Sequence, residues 1–162
     1  MDEELLNIAD FQKIVKLYHE ESDRAAAVLA GSFVDGFLAK FLRHFLAKEP
    51  EVEKLFDSYG PFGTFAARMD CSFAFGLIYR DVWEDLTYVR KIRNHFAHHP
   101  AETSFNGSPV RDWCACLSTA KVKHDEKGGE YHVTEPRLQY LFVVSRAVAV
   151  MHNTMLTGKK WL

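Results

Sequence analysis

The sequence predicts an all-α protein folded as a single-domain helical bundle. Its 162 residues suit one domain with a substantial core. Apolar side chains recur at helical spacing through several long segments, which prolines and glycines separate. Apolar residues make up 48% of the chain and aromatic residues 14%, which excludes a disordered protein. We expect about six helices in one domain over residues 1–162, with a loose loop or hairpin near 100–133.

The first two predicted helices are amphipathic. Residues 2–21 form the first, and the acidic residues at its start suit the positive end of the helix dipole. The second is long, spans about 23–48, and begins after Ser22, which can cap it. Gly31 and Gly36 weaken its helix propensity, which indicates that a neighbouring backbone approaches closely there.

Shorter elements follow. Pro50 ends the long helix, and residues 51–57 suggest a short one. The segment 58–63 contains two glycines and a proline and predicts a turn. Thr64 is placed to cap another helix, and Gly76 suits the position just after that helix ends.

The central helix combines apolar periodicity with concentrated polar chemistry. Asp81 and Glu84 have the spacing of a capping box that would open it, and Pro100 stops it. Its apolar face consists of Val82, Leu86, Val89, Phe96 and Ala97.

Arg93 lies in the middle of that face, followed by Asn94 and His98. A buried guanidinium needs a carboxylate or a phosphate, because leaving it unpaired costs several kcal/mol. Positions i and i+5 lie about 140° apart on a helix. Arg93 and His98 would therefore meet only if the last turn unwound, or if a second subunit supplied the other half.

The alternative interpretation of these residues is structural. Asp23 or Asp35 would then provide the carboxylate for Arg93 or Arg68, and His98 would suit the negative end of the helix dipole. We therefore take as a candidate polar cluster Asp23, Arg24, Asp35 and Arg68.

The last third of the chain is less regular. Residues 109–120 are consistent with a short helix packed on the core, and 121–133 contain a Gly-Gly pair typical of a hairpin or loop. Thr134 can cap a final helix, Pro136 fits its first turn, and Gly158 ends it.

Composition limits the classes of function. The net charge of −2 disfavours a protein that grips DNA through many phosphates. A helix-turn-helix drawn over 76–98 would have to expose Val89 and Phe96. Three cysteines without a zinc or redox spacing, no signal peptide and no long apolar run lead us to expect a cytoplasmic protein without a membrane span.

A metal site and a cofactor are not expected. His95, His98 and His99 have i, i+3, i+4 spacing, but no acidic or thiol residue lies beside them in sequence. No nucleophile elbow and no phosphate-binding loop occurs.

Three blocks together resemble the mannitol operon repressor family. They are ESDRAA at 21–26, LF at 55–56 with GPFGTFAARM at 60–69, and GLI at 76–78 with IRNHFAH at 92–98. The resemblance covers about residues 20–98 and implies an all-helical fold with a role in regulating transcription of sugar-uptake genes.

The third block also resembles the Arg-polar-His motif of the HEPN helical domains. Arg93, Asn94 and His98 would fill the motif, and the resemblance implies metal-independent RNA cleavage across a dimer interface. His98 would act as general base or acid, Arg93 would neutralise charge on the phosphoryl oxygens, and Asn94 would orient the phosphate or the histidine.

We therefore predict a repressor-type transcriptional regulator that acts as a homodimer through a protein partner, not by direct DNA binding. The alternative is a HEPN-type endoribonuclease, for which RNA would be the partner.

Overall fold

The computed structural model describes residues 16, 18, 20–99, 104–121, 123–124 and 130–158. Within these residues six α-helices surround one core, which confirms the predicted all-α fold. The helices are α1 (Asp23–Phe45), α2 (Pro50–Glu53), α3 (Phe65–Ala74), α4 (Arg80–His98), α5 (Val110–Cys114) and α6 (Pro136–Thr157). Most of the predicted helix over 2–21 lies outside the described residues. Within that segment the described residues Lys16, Tyr18 and Glu20 are helical.

The three long helices α1, α4 and α6 pack on one another and form the centre of the bundle. Asp23 pairs with Arg137 and Ala27 with Tyr140, so α1 and α6 run in the same direction. Helix α4 runs opposite to both, because Asp85 near its start lies beside Arg146 in the middle of α6, whereas Arg93 near its end and Tyr140 near the start of α6 both lie at Gly31. The largest fully buried side chains include Tyr140, Phe41, Phe96, Phe105, Leu38 and Met151.

Several predicted helix ends are confirmed. Ser22 and Thr64 each accept a hydrogen bond at 3.2 Å from the backbone amide three residues on, which satisfies one free donor of the first turn. Gly76 and Gly158 have positive φ angles of 66° and 62° just after their helices end. A residue with a side chain adopts this conformation only with strain.

The predicted capping box at the start of the central helix is wrong. Helix α4 begins at Arg80 with Tyr79 as its N-cap, so Asp81 lies inside the first turn. Its carboxylate accepts from the amide of Val82 and pairs with Arg146. The carboxylate of Asp81 therefore forms an ion pair with a distant helix and does not serve as the N-cap that the local sequence predicted.

Two other predicted boundaries are also wrong. Helix α1 ends at Phe45, and Pro50 opens the next helix, where its fixed φ angle fits the first turn. The N-cap of α6 is Glu135, directly before Pro136, so Thr134 stays outside the helix.

The described part of the segment between α4 and α6 contains only short elements, as predicted. Helix α5 and a 3₁₀ turn at Ser118–Ala120 are followed by a short antiparallel pair of strands, β1 (Lys123–His124) and β2 (Glu130–Tyr131). The residues that would form the hairpin turn lie outside the described part of the chain. A second 3₁₀ turn, Lys54–Phe56, follows α2.

Helix α1 is long and apolar enough to cross a membrane by length and composition, with a mean hydropathy of 1.6 in its most apolar window. Half of that window is buried inside the fold. The core helix of a soluble protein passes the same test, so the feature is weak evidence for a membrane span.

Candidate functional site on the central helix

The side chain of Arg93 on α4 contacts α1 at Gly31. A Cβ atom on Gly31 would lie 2.6 Å from Cγ of Arg93 and 2.9 Å from the hydroxyl of Tyr140. The aliphatic stem of Arg93 therefore rests directly on the backbone of α1. Glycine at position 31 makes this close approach possible, as its helix-weakening effect suggested.

The guanidinium of Arg93 is bound within its own helix. One terminal nitrogen donates to Oδ1 of Asn94 at 2.8 Å, and Nε is buried without a hydrogen-bond partner. Neither Asp23 nor Asp35 pairs with Arg93, because each pairs with another arginine. The described part of the chain thus gives Arg93 no carboxylate.

Arg90, one turn earlier on α4, repeats this situation. Its Nε is also buried and has no hydrogen-bond partner. A buried donor without a partner costs about 1–3 kcal/mol, and more when it is charged. Helix α4 therefore carries two guanidinium groups that no described carboxylate compensates.

His98 stands apart from Arg93. It is exposed and is the last residue of α4. The final turn does not unwind, since the amide of His99 still donates to the carbonyl of His95 at 3.0 Å. On a regular helix Arg93 and His98 stay about 140° apart, so one subunit does not bring the two side chains onto one face.

The other histidines of this segment pack on each other. The rings of His95 and His99 stack with centroids 4.3 Å apart, and His95 also meets the edge of Trp113. Burial and the neighbouring His99 lower the pKa of His95. Within the described residues no group of three His, Cys, Asp or Glu side chains is placed to hold a metal ion.

The four residues of the candidate polar cluster do not form one cluster. Arg68 pairs with Asp35 at 2.7 Å, and its Nε donates to the carbonyl of Phe62 at 2.8 Å. This half-buried pair ties α1 to the turn before α3. Arg24 is exposed, and Asp23 belongs to a different contact at the start of α1.

Asp23 joins three distant parts of the chain. Its carboxylate binds Arg137 at 2.9 Å and accepts from the hydroxyl of Ser104 and the amide of Phe105 at 3.0 and 3.1 Å. Arg137 was not predicted as its partner. The sequence indicated only that Asp23, an acidic residue in the first turn of the largely apolar helix α1, would need a partner.

Asp85 is a buried carboxylate that sequence reasoning missed. It accepts from the amide and hydroxyl of Ser118 at 2.8 and 2.6 Å, and from Arg146 at 3.1 Å. Burial raises its pKa, although the bonds from Ser118 and the charge of Arg146 act in the opposite direction. The sequence did contain a sign that Asp85 is buried, because it lies three residues after Val82, beside the apolar face of α4.

The raised pKa of Asp85 predicts a pH effect of unusual sign. Because the folded protein binds this proton more tightly than the unfolded chain, the free energy of unfolding should increase as pH falls through the raised pKa towards 3.8. Urea unfolding from pH 7 to pH 4 should show wild type gaining stability relative to Asp85→Asn. A relative loss would mean that the ion pair outweighs burial.

The buried face of α4 excludes the helix-turn-helix outline over 76–98. Val89 and Phe96 are both fully buried in the core. The second helix of that outline therefore cannot turn this face towards a DNA groove without opening the bundle.

The family model of the mannitol repressors, MtlR, matches residues 25–154. The chain belongs to the mannitol repressor family. The match extends well beyond the three blocks that carried the resemblance and includes most of α6. It confirms the predicted repressor-type regulator of this family.

This mannitol repressor family member shares its fold with a solved structure. A chain of the MtlR–HPr complex from Escherichia coli superposes with a TM-score of 0.69 at 15% sequence identity. The alignment covers 89% of the present chain and 99% of that chain. At this identity the likeness establishes the fold. No curated protein sequence matches.

Proposed function

We propose that this chain acts as a cytoplasmic homodimer that regulates transcription through contacts with other proteins. The observation that carries the proposal is the burial of the apolar face of α4, which removes the stretch most like a DNA-reading helix from the surface. The net charge of −2 agrees with it, because strong DNA binding depends on neutralising phosphates with cations.

The partner we propose is HPr. The Escherichia coli chain with the same fold was solved in complex with HPr, and the present chain spans 99% of its length. A protein partner of this kind fits a regulator that does not read DNA itself.

The exposed edge of α4 is our candidate contact surface. Arg90 and Arg93 are half-buried and no described carboxylate pairs with either, so we propose that a partner carboxylate binds the terminal nitrogens of their guanidinium groups. Lys91 lies on the same helix, with its ammonium 4.4 Å from the centre of the Trp113 ring.

We expect the purified chain to bind HPr in isothermal titration calorimetry and to leave mannitol operator DNA unshifted at low salt. Arg90→Ala should weaken HPr binding at least about tenfold, because it removes a charged donor from the interface. Arg111→Ala is the matched control, since Arg111 is exposed and pairs with its neighbour Asp112 on α5. A salt-dependent operator shift without HPr binding would contradict the proposal.

The alternative function, a HEPN-type endoribonuclease, gains no support from the described contacts. It needs Arg93 and His98 in one cleft, and one subunit holds them on different faces of a regular helix. A second subunit would have to supply the missing half.

A further inference from the structure

The second half of α4 is basic along its outward side. From Leu86 to Ala101 the sequence contains no acidic residue. Five polar or cationic side chains lie within an arc of about 140° that is centred opposite the buried side of the helix. We call this set the basic face of α4; its members are Arg90, Lys91, Asn94, His95 and His98. Lys91 and His98 are exposed, and the other three are half-buried.

The basic face has no described carboxylate of its own subunit to balance it. None of the ion pairs within the described residues includes a member of this face. On the outward side of α4 the nearest acidic residue is Glu84, seven residues before Lys91. Helix α5 packs beside the face, and its acidic residue, Asp112, pairs with Arg111 at 3.5 Å. The face therefore carries the fixed positive charges of Arg90 and Lys91, and protonation of its histidines adds to them.

His95 lies among cations and aromatic rings. Its ring stacks on that of His99 with centroids 4.3 Å apart and meets the edge of Trp113 at 5.4 Å. The ammonium of Lys91 lies 4.4 Å from the centre of the Trp113 ring. Because burial and His99 lower the pKa of His95, the isolated subunit favours the neutral ring. A carboxylate brought beside this ring would favour its charged form.

We propose that the basic face of α4 binds an acidic surface of HPr, and that its two histidines take up protons when the complex forms. The inference rests on the proposed function and adds pH as a regulator of that contact. Charge complementarity defines the partner surface, because carboxylates are the protein groups that pair with guanidinium, ammonium and imidazolium alike. The face is about 12 Å long, so more than one partner carboxylate fits along it.

The sign of the pH effect depends on where the protons are held more tightly. In the complex, a neighbouring carboxylate raises the pKa of His95 above its value in the free chain. The complex then holds more protons than the separate proteins, so affinity should increase as pH falls through the raised pKa and level off below the free-chain value. Between pH 8 and pH 6 we expect the dissociation constant to fall at least about tenfold.

Isothermal titration calorimetry with HPr at pH 6 and pH 8 measures this change. At pH 7, titrations in phosphate and in Tris, which differ in ionisation enthalpy, should show uptake of about one proton per complex. Combining His95→Gln with His98→Gln should abolish most of this uptake and most of the pH dependence. His44→Gln is the matched control, because His44 is an exposed histidine in the last turn of α1.

Two substitutions at one exposed position test the charge itself. His98→Lys introduces a fixed positive charge and should bind HPr at pH 8 at least about threefold more tightly than wild type. His98→Gln should instead weaken binding at pH 6. Since His98 is exposed, both variants should keep the fold, which circular dichroism checks. Equal affinities of the lysine and glutamine variants at pH 8 would overturn the proposal.

Loss of HPr binding and loss of its pH dependence have different meanings. HPr binding of equal affinity at pH 6 and pH 8 would overturn this inference and leave the proposed function standing. Proton uptake that persists in the folded double histidine variant would do the same, because the protons would then bind elsewhere. A wild type that binds no HPr at either pH would overturn both.

Discussion

Replacing Arg146 with alanine is expected to lower the free energy of unfolding by about 3 kcal/mol. The side chain of Asp85 is only 4% exposed and would lose its cationic partner. Ser118 would still donate two hydrogen bonds, but a buried carboxylate without a counter-charge is costly. Urea unfolding at pH 7, followed by circular dichroism, measures the loss.

Arg111→Ala is the control for this prediction. Arg111 and its partner Asp112 are both exposed, and their nitrogen–oxygen distance is 3.5 Å. An ion pair of this kind contributes at most about 1 kcal/mol. Equal losses in the two variants would show that burial of Asp85 does not set the strength of its contact with Arg146.

Gly31→Ala and Gly36→Ala are expected to change stability in opposite directions, about 3 kcal/mol apart. At position 31 the new methyl group would meet Cβ and Cγ of Arg93 at 2.7 and 2.6 Å. Cβ of Arg93 is fixed to the backbone of α4, so the two helices must separate. Thermal unfolding of the variants and wild type measures the difference.

Gly36 serves as the matched position because it lies on the same helix and a Cβ there would meet nothing within 4 Å. Alanine at 36 should therefore stabilise the protein by up to about 1 kcal/mol through helix propensity alone. A stabilised Gly31→Ala variant would mean that α1 and α4 are not in the close contact described.

Much of the fold was predictable because its determinants are local. The helical periodicity of α1, α4 and α6 and the caps at Ser22 and Thr64 depend on residues within a few positions of one another. Backbone preference fixes the ends at Gly76 and Gly158 in the same way. Neighbouring residues are sufficient to define such features.

The ion pairs were not predictable, because helix packing selects the partners. Asp23 and Arg137 are 114 residues apart, and Asp85 and Arg146 are 61 apart. Sequence alone offered several acids for each arginine and no means of choosing between them.

Arg93 departs from expectation for a different reason. Its place on the apolar face of the helix predicted a buried charge that required a carboxylate. In the structure the stem covers Gly31, one terminal nitrogen of the guanidinium donates to Asn94, and Nε is buried without a partner. The glycine on α1 leaves room for the apolar stem, and the amide oxygen of Asn94 takes the place that a carboxylate was expected to fill.

The order of the helices along the chain bears on how the protein is made. Four other helices of the described chain are synthesised between helix α1 and α6, its most extensive neighbour. Until α6 leaves the ribosome, the nascent chain exposes an apolar helix that resembles a membrane segment. The core therefore closes only after α6 has been synthesised, and a chain truncated before Pro136 leaves α1 open to aggregation and proteolysis.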